Sequence, residues 1–248
     1  MYYAGLDIHK AFTVGVIKTK EGEEVNKGKF TNTEENFKGF FKDFPPNKTK
    51  VVIESTCLWE HIYDKLQALG YEVKLSNPTR TKAIAYAKIK TDSIDASTLA
   101  DLLRANLIPE SYIPNKETRK LRDVVRQRKS LVKGRTQIKN KIHSILIRQG
   151  IKLPYTSLCP SAVNWLEENI DINSILQTYF NLLEQYNNEL QEIDNHIEKL
   201  AYKSKQAKLL MTIPGIGSIR AMDLIAEIAD ISRFESSSKF IRQRFKLF

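Results

Sequence analysis

The hydrophobic pattern changes rhythm near residue 118. Before that point, short apolar runs alternate with amphipathic stretches. Tyr2-Tyr-Ala-Gly-Leu6 ends on Asp7 and turns through Ile8-His-Lys10 into Phe12-Thr-Val-Gly-Val-Ile17. Glu24-Val-Asn-Lys-Gly-Lys-Phe30 follows, and the three runs predict an antiparallel meander. Phe37, Phe40 and Phe41 sit at helical spacing within 36–44, where Pro45-Pro46 stops the helix. Val51-Val-Ile-Glu54 reads as a short buried strand. Ser55-Thr56 is placed to cap a helix over 58–69, which Gly70 ends. A strand over 71–75 and a helix from Asn77-Pro78 to about Tyr86 come next, then a helix carrying Asp92, Asp95, Leu99 and Leu102.

Beyond residue 118, Val124, Leu131, Ile138 and Ile145 recur every seven positions. Gly150, Pro154 and Pro160 interrupt the pattern, which makes 150–174 a connector. Leu176, Tyr179, Leu183, Tyr186, Leu190, Ile193, Ile197 and Leu200 then alternate in steps of three and four. That is a coiled-coil seam. It predicts an antiparallel hairpin or a dimerisation arm, or else an internal core. Finally, Leu209-Leu-Met-Thr-Ile-Pro-Gly-Ile-Gly-Ser-Ile-Arg-Ala221 reads as a helix-hairpin-helix. Gly215 and Gly217 would let a phosphate approach the turn, with Arg220 as a contact. The plainer reading is a tight turn between core helices.

This order of elements predicts an α/β domain with an RNase H-like (RuvC-like) sheet over residues 1–112. A long α-helical coiled-coil arm over 113–204 and a partial α-helical C-terminal domain over 205–248 would follow. Actin-like ATPases and sugar kinases share the opening hairpin, so order alone does not separate them. Against a sugar kinase, no glycine-rich phosphate loop follows the hairpin.

Composition narrows this further. Hydrophobic residues make up 42% and charged residues 27% of 248, as in a soluble folded protein. No apolar stretch approaches the roughly 20 residues that span a bilayer. The N-terminus has no basic region of the signal-peptide kind, so the expectation is a cytoplasmic protein without membrane contact. Cys57 and Cys159 form no metal-type spacing, and the four histidines read as scattered. Net charge is +10, and the window Lys116–Arg148 holds twelve Lys/Arg against Glu117 and Asp123, again +10. Such a stripe is the footprint of a polyanion, with Arg126, Arg128, Lys129, Lys133, Arg135 and Lys139 as candidate contacts. A merely solvated helix face is the alternative.

Four carboxylates carry the chemistry. Asp7 and Glu54 end apolar runs, and Asp92 and Asp95 share one helix face. Singly each has a dull explanation: Asp92 as an N-cap, Asp95 as a first-turn acid, Asp7 as a turn cap. Glu54 resists one, because open α/β sheets bind ligands beyond the carboxyl ends of their strands. Together they suit a divalent cation, with Lys90, Thr91 and Ser93 as outer polar contacts. Such a site can clamp the oxygens of a phosphodiester.

Several segments together resemble a known family. They are Gly5-Leu-Asp-Ile-His-Lys10, Val52-Ile-Glu-Ser-Thr56, Lys90-Thr-Asp-Ser-Ile-Asp-Ala96 with Leu99-Ala-Asp-Leu-Leu103, Ile213-Pro-Gly-Ile-Gly217, and Ala226-Glu-Ile-Ala-Asp-Ile-Ser-Arg-Phe234. The combination is similar to the Piv/MooV-like DEDD transposases of insertion sequences, the IS110 family. The resemblance implies a metal-dependent DNA recombinase, with Asp7, Glu54, Asp92 and Asp95 as the catalytic and Mg2+ (or Mn2+) ligands. It implies DNA and a structured guide RNA as partners, and self-association through the coiled coil. The family also carries a nucleophilic serine further along its C-terminal domain. Ser236, Ser237 and Ser238 precede that position, and 241–248 do not resemble the family continuation. The expectation is a C-terminally truncated, strand-transfer-defective transposase. A RuvC-like structure-selective nuclease and a non-catalytic nucleic-acid-binding remnant are the competing readings.

Overall fold

The computed structural model describes residues 1–85, 91–170, 174–234, 236 and 238. They form two compact units, Met1–Ile113 and Pro114–Phe248.

In the first unit, β1 (Tyr2–Ile8), β2 (Phe12–Lys18) and β3 (Glu24–Thr31) form the antiparallel meander. Helix α1 (Glu34–Phe40) follows, with Thr33 as N-cap accepting from the Asn36 amide. It stops at Phe40, short of the expected 44. β4 (Thr49–Glu54), α2 (Trp59–Ala68), β5 (Glu72–Ser76), α3 (Pro78–Ile84) and α4 (Asp92–Arg104) complete the unit. The expected end of α3 near Tyr86 lies outside the described residues. The sheet has five strands in the order β3-β2-β1-β4-β5. β4 is parallel to both β1 and β5, so the sheet is mixed with β1 at its centre. This agrees with an RNase H-like fold.

Ser55 and Thr56 do not cap α2. Its N-cap is Leu58, without a side-chain bond. The Ser55 amide instead bonds the Ser76 carbonyl and prolongs the β4–β5 ladder, while the Thr56 amide turns back to Glu54.

Alternation along β1 sends its residues to two different layers. Ala4, Leu6 and Ile8 pack with Ile53, Phe37, Ile62 and Leu66 on the α1/α2 side. Gly5 faces α4. A Cβ on Gly5 would lie 2.1 Å from the Ala96 carbonyl oxygen and 2.6 Å from the Ala100 nitrogen. The helix backbone therefore lies directly on the strand. Val14, Val16 and Val52 flank this contact and pack against Ala96, Leu99 and Leu103. At its far end α4 is tied to the sheet by the Lys18–Asp101 ion pair and by Arg104 donating to the Lys20 carbonyl.

In the second unit, α5 (Lys116–Arg148) and α7 (Ser174–Lys203) run antiparallel, with Arg128 against Asp194 and Arg135 against Asn187. Ile138, Ile145, Leu176, Leu183, Leu190 and Ile197 of the heptad positions are buried. The expected connector holds a helix of its own, α6 (Pro160–Asn169). Pro160 begins this helix, at the first-turn position where its missing N–H costs nothing. Leu158 and Leu166 close the core at that end of the pair. α8 (Lys205–Met211) and α9 (Ser218–Ile228) pack on the other end, where Ala207, Ala221, Met222 and Ala226 share a core with Val125 and Ile197.

The Gly5 contact yields a test. Gly5→Ala is expected to destabilise the protein by about 3 kcal/mol or more, since backbone and not a movable side chain blocks the new methyl. On the sequence expectation that Asp92 and Asp95 hold a divalent ion, it should also weaken that binding, because α4 carries both. Chemical denaturation and metal titration of the variant read both.

Candidate functional site

The site lies at the carboxyl ends of β1 and β4. Leu6 pairs with Ile53, so the next residues, Asp7 and Glu54, sit side by side on neighbouring strands. Because Leu6 and Ile53 belong to the α1/α2 layer, alternation turns Asp7 and Glu54 toward the α4 layer. There α4 begins. Its N-cap is Thr91, whose hydroxyl accepts from the Ile94 amide. Asp92 is thereby released from capping, and Thr91 serves the helix end. Lys90 lies outside the described residues.

Of the four carboxylates the structure brings together Asp7 and Asp92, joined by His9; Glu54 and Asp95 stand outside this group. Asp7, His9 and Asp92 each offer a ligand atom, all within 4.8 Å of one another. His9 Nε2 is 2.9 Å from Asp7 Oδ2 and 3.4 Å from Asp92 Oδ2. Asp7 is 15% exposed and Asp92 48%. Asp95, one turn further along α4, is exposed. Burial pushes the Asp7 carboxyl above its usual range; the His9 contact opposes this, and the charges of Asp92 and Asp95 add to it. Two carboxylates and an imidazole so close together fit a divalent cation, which would offset that repulsion. Sequence reading treated His9 as one of four scattered histidines. Its one signal was its place two residues after Asp7, across the turn.

The observation that decides the family is linear. Residues 4–149, more than half of the chain, match the transposase family defined by the DEDD domain of IS110 elements. The chain belongs to the IS110 family of transposases. Residues 207–242 separately match the transposase family of IS116, IS110 and IS902. The chain is 27% identical to the transposase of IS1533 from Leptospira borgpetersenii, over 97% of this chain and 73% of that protein. It is 25% identical to the transposase of IS1328 from Yersinia enterocolitica, over 77% and 58%. The corresponding figures for the transposase of IS1111A from Coxiella burnetii are 22%, 75% and 53%. The chain thus spans little more than half the length of the latter two. DEDD transposases of this family generally work with divalent metal ions, in keeping with the cluster at Asp7.

In this IS110-family chain the basic stripe of α5 divides into two halves. Arg126 pairs with Glu227 at 3.2 Å, Lys129 with Asp223 at 2.6 Å, and Arg128 with Asp194. Arg122 donates to the carbonyls of Ala226 and Glu227. Burial pushes Glu227 up, but Arg126, with Arg122 and Lys129, outweighs it and holds the carboxyl below its usual range. These cations fasten α7 and α9. In the other half, Lys133 is exposed, and neither it nor Lys139 has an ion pair among the described residues. Arg135 and Lys139 line a groove of about 750 Å³ between α5, α6 and α7, with Asn164, Asn181 and Asn187. Burial, with Arg135 nearby, lowers the Lys139 pKa. In the α8–α9 turn, Gly215 has φ +83° and Gly217 is the N-cap of α9. Arg220 folds back to donate to the Gly215 carbonyl at 3.1 Å.

The environment of Asp7 gives a second test. Asp7→Asn removes a desolvated charge beside two like charges while keeping an acceptor for His9. The metal-free variant is expected to melt a few degrees higher than the parent, about the shift of 1 kcal/mol in a protein this size. Added Mn2+ should stabilise the parent and not the variant. Calorimetry with and without metal reads both.

Proposed function

We propose that this chain acts as an insertion-sequence transposase whose DNA cleavage is carried by Asp7, Glu54, Asp92 and Asp95 with Mg2+ or Mn2+. The observation that supports this most is the meeting of Asp7, from the central strand, with Asp92, from the first turn of α4. Glu54 is the next residue along the sheet edge. Asp95 lies near enough to raise the Asp7 pKa. In this reading Asp7 and Asp92 would hold the ion, and Glu54 and Asp95 would complete the ligand set. A divalent ion supplies an activated water and stabilises charge on the phosphodiester oxygens. The protein's part is to gather acids at the carboxyl end of the sheet, where a bound ion would offset their repulsion.

The same proposal assigns nucleic-acid binding to the second unit, with DNA and a structured guide RNA as the polyanions and self-association through the α5–α7 arm. The ion pairs of Arg126, Arg128 and Lys129 favour Lys133, Arg135 and Lys139 as the contacts that count. The α8–α9 turn, with Gly215, Gly217 and Arg220, is a second phosphate-binding candidate.

Two measurements test this reading. Glu54→Gln is expected to reduce metal-dependent nicking of DNA at least a hundredfold and to weaken Mg2+ binding, with an unchanged circular dichroism spectrum. Full activity in that variant would remove Glu54 from the site. Replacing Lys133, Arg135 and Lys139 with glutamine should weaken RNA and DNA binding and flatten its salt dependence by up to about three counterions. The same exchange at Arg126, Arg128 and Lys129 should lower thermal stability more than it changes that slope.

A further inference from the structure

We propose that His9 is itself a ligand of the metal centre and tunes it toward manganese over magnesium. The inference rests on the four-carboxylate reading above and adds a nitrogen donor to it. His9 Nε2 stands 2.9 Å from Asp7 Oδ2 and 3.4 Å from Asp92 Oδ2. Adjacent ligands of an octahedral ion with bonds of about 2.1–2.2 Å are about 3 Å apart. Both spacings from His9 Nε2 are close to that of neighbouring corners around one ion, and the three donor atoms lie within 4.8 Å of one another.

The imidazole is stacked, and the turn that carries it is tied down. Its ring stacks on Phe12, with centroids 4.5 Å apart and planes at 28°. The Lys29 ammonium lies 3.7 Å from the centroid of the same Phe12 ring. The His9 amide donates to the Phe12 carbonyl at 2.8 Å, closing the turn. The Asn32 side-chain amide donates to the His9 carbonyl at 2.8 Å, and the buried Thr13 hydroxyl donates to Asn32 Oδ1 at 2.6 Å. Lys65 donates to the Asn32 carbonyl at 2.7 Å. Residues of β2, β3, α2 and the stretch after β3 thus fix one turn.

The chemical consequence follows from donor type. Magnesium takes oxygen ligands and dehydrates reluctantly. Imidazole is a ligand of transition ions, and manganese, which also takes carboxylates, stands at the start of that series and accepts a nitrogen donor more readily than magnesium does. A site of carboxylates plus one imidazole therefore prefers manganese more strongly than four carboxylates alone.

The test uses the full chain loaded with Mn2+ and read by pulsed electron paramagnetic resonance. The expected spectrum shows coupling of the Mn2+ electron spin to one 14N nucleus, lost in His9→Gln. Competition titration should show the Mn2+:Mg2+ affinity ratio falling about tenfold or more in that variant. Asn32→Ala, which removes the bond to the His9 carbonyl but no ligand atom, should lower Mn2+ affinity while keeping the 14N coupling. Mn2+ bound without 14N coupling in the parent protein would overturn the role of His9 and leave the four-carboxylate reading intact. Failure of the parent to bind Mn2+, or binding that Asp7→Asn does not disturb, would overturn both. The parent spectrum decides even if His9→Gln fails to fold.

Discussion

The candidate centre depends on how closely one helix can lie on one strand. β1 is central in the sheet, and its Gly5 presents bare backbone to α4. Ala96 and Ala100 on the helix are fully buried there. With small residues on both surfaces, the first turn of α4 comes down beside the carboxyl end of β1. Any side chain at Gly5 would lift the helix and part Asp92 from Asp7. A glycine inside a strand is ordinarily a weakness. Here Val14, Val16 and Val52 form a hydrophobic border around it, so the loss of one side chain leaves the layer sealed. The arrangement gives up strand propensity for ligand placement, a trade found at functional sites more than in plain cores.

What could be read in the sequence followed from burial periodicity. β1 and β2 read as nearly continuous apolar runs because both of their faces are covered, whereas β3 alternates between half-buried and exposed positions. The steps of three and four over α7 were readable because that helix buries a continuous stripe against α5. The pairing of Asp7 with Asp92 was readable as types and spacing only; its geometry depends on Gly5, whose role no local pattern announces. His9 was missed because its approach to Asp92 arises from a turn closed by Asn32, more than twenty residues away in sequence. Helix α6 was missed because Pro160 signals a break and a start equally well. Asp92 was the candidate cap, and the Ile94 amide is bonded instead by Thr91, one residue earlier, which the sequence suggested only as an outer polar contact.

Charge shows the same division between composition and placement. The stripe on α5 accounts for the whole formal excess of the chain, yet Arg126, Arg128 and Lys129 are matched by acids on α7 and α9. Those acids come from 66 to 101 residues further along, so a window count cannot find them. The cations near the α8–α9 end act as fasteners within the unit. The field that an outside polyanion would sense is concentrated further along α5, toward Lys133 and the groove of Lys139.

Seen mechanically, α4 is a beam clamped at its far end. The Lys18–Asp101 pair and the Arg104 bond to the Lys20 carbonyl grip its last turns, while its first turn carries two of the four acids. Thirteen residues make it about 20 Å long. A tilt of only about 5° at the clamp would swing the far tip by nearly 2 Å, several times the tolerance of about 0.2 Å on a metal–ligand bond. The Lys18–Asp101 pair lies at the opposite end of the helix from the acids, yet it shares with the Gly5 contact the task of fixing the line along which they point. Lys18→Met, which keeps the bulk of the side chain and removes the grip, would act on the centre by leverage.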